Sequence, residues 1–419
     1  MTDDPISLAS PAFGLLIAIE LWVARRQGRK LYRLNDSLND LATGILQQMT
    51  VLLLAVVVIG AYVALYETGH WLDLTAQNPW TWLACYMAID FIYYWFHRWS
   101  HEVNFLWAAH VVHHQSEEYN LTVALRQSVL QPLFSSIFYW PLAGIGFPPA
   151  LFAVSLALNT LYQFWIHTRT IDKLGPLEWV LMTPSHHRVH HGRNPIYIDR
   201  NHGATFIFWD KLFGTYEPEG EEVHYGITTP LASWNPIWAN AQYWVELWRS
   251  AARTRAWRDK LLVFLKPPGW FPDDLGGFQA PPEIEPNPQK FDIDYAPAIG
   301  RYAVLQLALV LVLLAALTFG QADLDRWLVW LWAALVSWGL VDIGGLFEGR
   351  GWAPRSERLR LIAIPLATLP AASHGVGWLL PLLLALASLV SFRMAALTAA
   401  SDRAHDGAKL EVDEPAPSP

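Results

Sequence analysis

The chain has 419 residues, of which 53% are hydrophobic and only 16% charged, with 23 tryptophans. That composition excludes an ordinary soluble domain, where about 25% of residues carry charge, and tryptophan favours the water–lipid interface. The net charge of −8 speaks against a nucleic-acid partner, and the single cysteine, Cys85, excludes a disulfide framework.

Roughly 20 apolar residues are needed to cross a hydrocarbon core. Runs of that kind predict spans over residues 7–24, 42–66, 79–96, 129–146 and 149–167, and then over 301–319, 326–346, 360–373 and 377–397. The fold class is therefore all-α: a multi-pass transmembrane helical protein. Its acidic start, MTDDPIS, lacks a cleavable-signal pattern, so the first span is expected to stay as an anchor. Phe147-Pro148-Pro149 breaks the fourth run from the fifth and makes them a helical hairpin, spanning or re-entrant.

Arg25, Arg26, Arg29, Lys30 and Arg33 follow the first span and place that loop in the cytoplasm. Counting forward puts residues 67–73 outside and returns His97 to His114 to the cytoplasmic face, and the hairpin brings His167 and the histidines after it to the same side. The acidic 323–325 loop outside and the basic 348–360 loop inside agree with this count. Residues 170–300 read as a cytoplasmic cap, with amphipathic stretches over Trp234–Leu262 and a Pro/Gly-rich loop over Pro267–Pro288. The expected organisation is N-terminal anchor helices over 1–78, a histidine-rich di-metal domain over 79–270 and a linker over 271–300. C-terminal transmembrane helices over 301–397 and a disordered tail over 398–419 complete it.

Eleven of the 15 histidines fall between His97 and His202. His97 and His101 stand four apart, His110, His113 and His114 form an HxxHH triplet, and His187, His190 and His191 repeat it. His167 ends the fifth span. Histidines three or four apart project from one helix face at neighbouring turns. Nine candidates exceed the four to six donors, roughly, that one first-row ion takes, so two ions in an inward-facing nest between helices are expected. Imidazole suits iron, zinc and copper; zinc has no redox chemistry, and iron is favoured because a ferrous ion with open positions binds dioxygen. Glu102, Gln163 and His186 are further candidates for catalytic work: Glu102 to orient a ligand imidazole, Gln163 on the helix face of His167, and His186 as a pocket residue out of register with its triplet. Asp90 is an intramembrane carboxylate and a functional candidate by default. Glu117, Glu118, Asn120 and Arg126 are placed to line an approach for a polar headgroup or cofactor. His202, in the turn-like DRNHG, is read as structural as readily as functional, and His70, His224, His374 and His405 as incidental.

The stretches YYWFHRWSHEVN (93–104), HHQSEEYNLTVALRQSVLQ (113–131), LYQFWIHT (161–168), TPSHHRVHHGRN (183–194) and WDKLFGTY (209–216) resemble the fatty acid hydroxylase/sterol desaturase superfamily of membrane di-iron enzymes. The likeness runs over roughly residues 79–270 and is strongest to the branch that cleaves ether lipids. It implies a di-iron monooxygenase that uses dioxygen and tetrahydrobiopterin to hydroxylate the ether-linked carbon of an alkylglycerol. The hemiacetal so formed falls apart into fatty aldehyde and glycerol. It also implies that His97, His101, His110, His113, His114, His167, His187, His190 and His191 are the iron ligands, with Glu102 in support. The chain departs from the pattern at position 202, where the family commonly has an aromatic residue. Two other readings stay open: a sterol, carotenoid or fatty acyl hydroxylase or desaturase fed by an electron-transfer protein, and a non-enzymatic metal transporter or sensor. Clustering of the histidines at one membrane face speaks against the last. The Arg- and Trp-rich composition without a retention signal favours a bacterial cytoplasmic membrane over the endoplasmic reticulum.

Overall fold

The computed structural model describes residues 5–285, 288–373 and 379–394. His374, His405, the tail over 398–419 and the ends of the run over 377–397 lie outside these. Among the described residues the chain is helical, with no strand and only two isolated bridges, Leu181 to Phe206 and Gly192 to Tyr225. Two compact units result, one running up to Leu231 and including Trp238–Lys290, the other containing 232–237 and the chain from Phe291 onward.

The first unit begins with α1 (Pro5–Arg26), whose last turn carries Arg25 and Arg26 where a helix C-terminus favours cations. Helix α2 (Leu34–Thr68) starts eight residues before the predicted span, because the polar LNDSLND segment is helical too. Its Asn35, Asp36, Asn39 and Asp40 are buried, and Asp36, Asn39 and Asp40 find partners in the chain beyond residue 110. Helix α3 (Pro79–Glu102) is opened by Asn78, whose side chain accepts from the Trp80 amide. Short helices α4 (Asn104–Ala108), α5 (Val111–His114) and α6 (Leu121–Ala124) follow, then the hairpin of α7 (Gln131–Ile145) and α8 (Pro149–Trp165). Gly146 turns the hairpin at φ +118°; a side chain there would strike the Leu72 carbonyl. Tyr62, Cys85, Ile89, Tyr139, Leu142 and Leu151 form the core between α2, α3, α7 and α8. The cap carries α9 (Pro184–His190), α10 (Phe208–Phe213), α11 (Pro236–Arg253) and α12 (Trp257–Leu265).

In the second unit α13 (Pro297–Gly320), α14 (Arg326–Phe347) and α15 (Ala353–Thr368) pack together, and a further apolar helix, α16, covers Leu379–Met394. Arg360 is buried among them, donating to Glu357 at 2.7 Å and to Gln306 at 2.7 Å.

Three stretches among the described residues are long and apolar enough to cross a membrane: Leu34–Thr68, Pro297–Asp323 and Arg326–Phe347. The runs predicted over 79–96, 129–146, 149–167 and 360–373 are helical but shorter or more polar, and α1 covers the run predicted over 7–24. At about 1.5 Å per residue, the 15 residues of α7 and 17 of α8 fall short of a hydrocarbon core of about 30 Å. The run predicted over 360–373 is preceded by the charged first turns of α15 and ends in a tight 3₁₀ turn over Leu369–Ser373.

Candidate metal centre

Three helical segments and one helix end deliver the histidines. α3 presents His97 and His101 from one face, four residues apart. Val103 then adopts an extended conformation, and α4 turns the chain so that α5 returns with His110, His113 and His114. His167 follows the end of α8, and α9, with Pro184 in its first turn, carries His187, His190 and, at its cap, His191. The nine imidazoles are each between 1% and 6% exposed.

They divide into two groups. His97, His101, His110, His114 and His190 form one, and His113, His167, His187 and His191 the other; within each, the nitrogens lie within 4.8 Å of one another. The Nε2 atoms of His97 and His114 each stand 3.1 Å from His110 Nε2. In the second group His167 Nε2 stands 3.2 Å from His113 Nε2 and 3.0 Å from His187 Nε2. α5 feeds both groups, since His110 and His114 serve one and His113 the other.

The opposite ring nitrogens are tied to oxygens of the fold. Nδ1 of His97 meets the His202 carbonyl at 2.8 Å, that of His113 the Arg126 carbonyl at 2.8 Å, that of His167 the Gln163 carbonyl at 2.7 Å and that of His190 the Arg200 carbonyl at 2.9 Å. His110 Nδ1 meets the Gln131 side-chain oxygen at 3.0 Å. An acceptor at Nδ1 assigns the proton there and leaves Nε2 with a free lone pair, the tautomer a metal requires. Burial keeps the rings neutral: His110 is pushed down to about 3 and His113 to about 4, in each case chiefly by desolvation. Desolvation, with neighbouring imidazoles next, likewise holds His187, His190 and His191 well below the ordinary histidine range. Buried Nε2 atoms of His101, His190 and His191 carry no hydrogen bond at all. Orphaned, neutral and convergent nitrogens are what a pair of transition-metal ions fits, and the all-nitrogen donor set suits iron, copper or zinc over magnesium or calcium.

The surrounding braces come from residues the sequence had marked for other work. Arg126 is buried and fully engaged, with Nε on the Val112 carbonyl at 2.6 Å, Nη1 on Asn39 at 2.6 Å and Nη2 on Gln115 at 2.8 Å. It therefore braces α5 against α2 and does not line a headgroup approach. Glu118 pairs with Arg33 at 2.7 Å and with Lys290 at 2.7 Å. Asp90 accepts from Asn159 at 2.8 Å, the Thr205 amide at 2.8 Å and Trp209 at 2.9 Å, locking α3 to α8 and α10.

Glu102 turns its carboxylate to Arg98 at 2.8 Å, whereas the carboxylate beside His101 Nδ1, at 3.6 Å, is that of Asp199. Gln163 contributes its backbone carbonyl to His167, while its side chain donates to Asn159. The His186 ring lies outside both groups, 5.7 Å from Tyr216 centroid to centroid. Sequence reasoning missed Asp199, Asp210 and Tyr119, whose ring lies over His191 and His167. Asp199 and Tyr119 act through contacts distant in the chain, and Asp210 through the His202 and Gly203 amides eight and seven residues before it, a turn that no motif marks.

Residues 82–215 match the fatty acid hydroxylase family. An alkylglycerol monooxygenase from Danio rerio is 40% identical over 388 residues, covering 91% of this chain and 85% of the relative. The Homo sapiens alkylglycerol monooxygenase is 40% identical over 364 residues, with 86% and 81% covered. The chain belongs to the alkylglycerol monooxygenase family. An ornithine lipid hydroxylase from Rhizobium tropici is a more distant relative, 29% identical over 146 residues and 34% of this chain. No solved structure matches. As a member of the alkylglycerol monooxygenase family the chain is an oxidoreductase, a lipid monooxygenase associated with membranes, and the matched segment contains every histidine of both groups.

Proposed function

We propose that this chain is a di-iron monooxygenase that cleaves the ether bond of alkylglycerols, with tetrahydrobiopterin as reductant. The observation that carries the reading is the sorting of nine buried, neutral imidazoles into a five and a four, in a chain 40% identical to alkylglycerol monooxygenases over most of its length. The group of five would hold one iron and the group of four the other. Bound iron would supply the redox capacity to activate dioxygen for insertion into an unactivated C–H bond. In the net reaction one oxygen atom enters the C–H bond next to the ether oxygen and the other leaves as water, with two electrons from the pterin. The resulting hemiacetal separates into fatty aldehyde and glycerol.

The chain's own contribution is positional. Backbone carbonyls of Gln163, Arg126, Arg200 and His202 fix the imidazole planes before any ion arrives, and near-complete burial excludes water from the centre. We assign the site to the cytoplasmic face, which the basic loop after α1 supports, of a bacterial inner membrane, which the Arg- and Trp-rich composition supports, and the catalytic domain to residues 79–270.

Purified protein is expected to hold near two irons per chain; stoichiometric zinc without iron overturns the reading. Aldehyde release from an alkylglycerol that requires tetrahydrobiopterin supports it. Hydroxylation of acyl chains driven by an electron-transfer protein, with no ether lipid consumed, assigns the chain instead to the hydroxylases, the class to which its Rhizobium tropici relative belongs.

A further inference from the structure

One buried imidazole next to the centre belongs to neither group of nitrogens. His202 has no exposed surface, and beyond a weak contact with the Asp199 backbone neither of its ring nitrogens makes a well-formed hydrogen bond. Its ring centroid stands 5.1 Å from that of His101, and 5.6 Å from those of His97 and His190, all three members of the group of five. A buried imidazole so poorly partnered is costly, because it has lost water and gained little in return.

The backbone gives His202 no freedom to turn away. Its amide donates to Asp210 Oδ1 at 2.7 Å, and the next amide, Gly203, donates to Asp210 Oδ2 at 2.9 Å. Asp210 is held in turn by the Thr215 hydroxyl at 2.7 Å, which meets the Tyr94 hydroxyl at 2.9 Å. A side chain on Gly203 would come within 2.5 Å of the Phe206 carbonyl, so the turn admits only glycine. Upstream, Asp199 at φ +57° and Asn201 at φ +54° occupy the left-handed region. Non-glycine residues persist there only when their surroundings hold them. Asn201 is so held, its amide group donating to the His186 carbonyl at 3.0 Å and the Glu217 carbonyl at 2.8 Å. The carbonyls of Arg200 and His202 from this strap are the ones that orient His190 and His97. The strap thus presents both a brace for two ligands and a ring with vacant lone-pair capacity.

We propose that His202 is a tenth imidazole donor of this centre, serving the metal held by His97, His101, His110, His114 and His190. This rests on the two-metal reading above. It makes the centre asymmetric: six nitrogens around one ion and four around the other, so that exogenous ligands meet open positions at the group of four.

The test compares wild type with His202→Phe, which fills the ring's space, and His202→Ala, which leaves room for added imidazole. Iron content, the rate of iron release to a chelator and the Mössbauer spectrum are measured on folded, membrane-inserted protein. Both variants are expected to release one of the two irons roughly 10–100-fold faster, the range seen when supporting groups of a metal site are lost. Only one of two iron signals should change, and free imidazole should restore retention in the alanine variant but not the phenylalanine one. Two irons in the phenylalanine variant, with wild-type release rate and spectrum, would overturn the proposal. Wild-type protein that binds no iron would instead remove the two-metal reading beneath it.

Discussion

Five of the nine imidazoles of the centre are committed at both nitrogens, Nδ1 to an oxygen of the fold and Nε2 to the interior, so the effect of a substitution depends on which commitment it breaks. Gln131 offers His110 Nδ1 a side-chain acceptor, at 3.0 Å. Gln131→Leu keeps the size but removes that acceptor, and iron affinity is expected to fall about 10–100-fold with helical content unchanged; chelator titration reads it. Glu102 is the contrast. Its carboxylate pairs with Arg98 at a partly exposed helix end, where such a pair contributes about 0–1 kcal/mol. Glu102→Gln should leave iron content at the wild-type value and the melting temperature within a few degrees, and loss of an iron would restore the supporting role first assigned to it. His190→Ala and His187→Ala should each remove chiefly the iron of their own group and abolish turnover, a result that elemental analysis separates from general unfolding.

Between elements, the centre depends on how closely helices approach, and α2 sets one such limit. Gly44 packs against the chain just after α6, where an added Cβ would come within 2.1 Å of the Leu125 carbonyl. Backbone cannot swing aside as a side chain can, so Gly44→Ala must displace residue 125 and with it Arg126, whose carbonyl holds His113. Overpacking of this kind costs about 1–3 kcal/mol. The expected outcome is a lower melting temperature together with weakened iron retention in the group of four, and a variant with wild-type retention would dissociate α2 from the centre. Sequence periodicity located α2 but not this function, because HxxHH spacing reports which residues share a helix face and nothing about the helix that abuts it. The same limit explains the other differences. His97, His101 and both triplets were legible because their spacing is local. The five-and-four division was not, because α5 feeds both groups and no spacing rule says which histidine turns which way. Likewise the run over 129–146 is apolar enough to read as a span, yet Gly146 ends the helix at 15 residues.

Across the whole molecule, the centre is a volume from which charge has been removed: nine nearly unexposed neutral rings gathered from residues 97 to 191. That arrangement fixes how acid acts on it. In the unfolded chain histidine titrates near 6.5, whereas burial pushes His110 down to about 3 and His113 to about 4 in the folded protein. The folded state therefore binds fewer protons than the unfolded state across this interval, and stability falls as pH falls. The contribution is complete above about pH 6.5 and is lost progressively on acidification toward the folded values. Metal binding adds to the effect, since a proton and an ion compete for the same Nε2 lone pair. Thermal unfolding of metal-stripped protein should give a flat melting temperature from pH 8 to about 7 and a steady decline from there to pH 5. In the iron-loaded protein, release to solvent should accelerate over the same interval. A melting temperature that rises as pH drops from 7 to 5 would mean that these rings are charged in the folded state, and a cluster of cations could not hold iron.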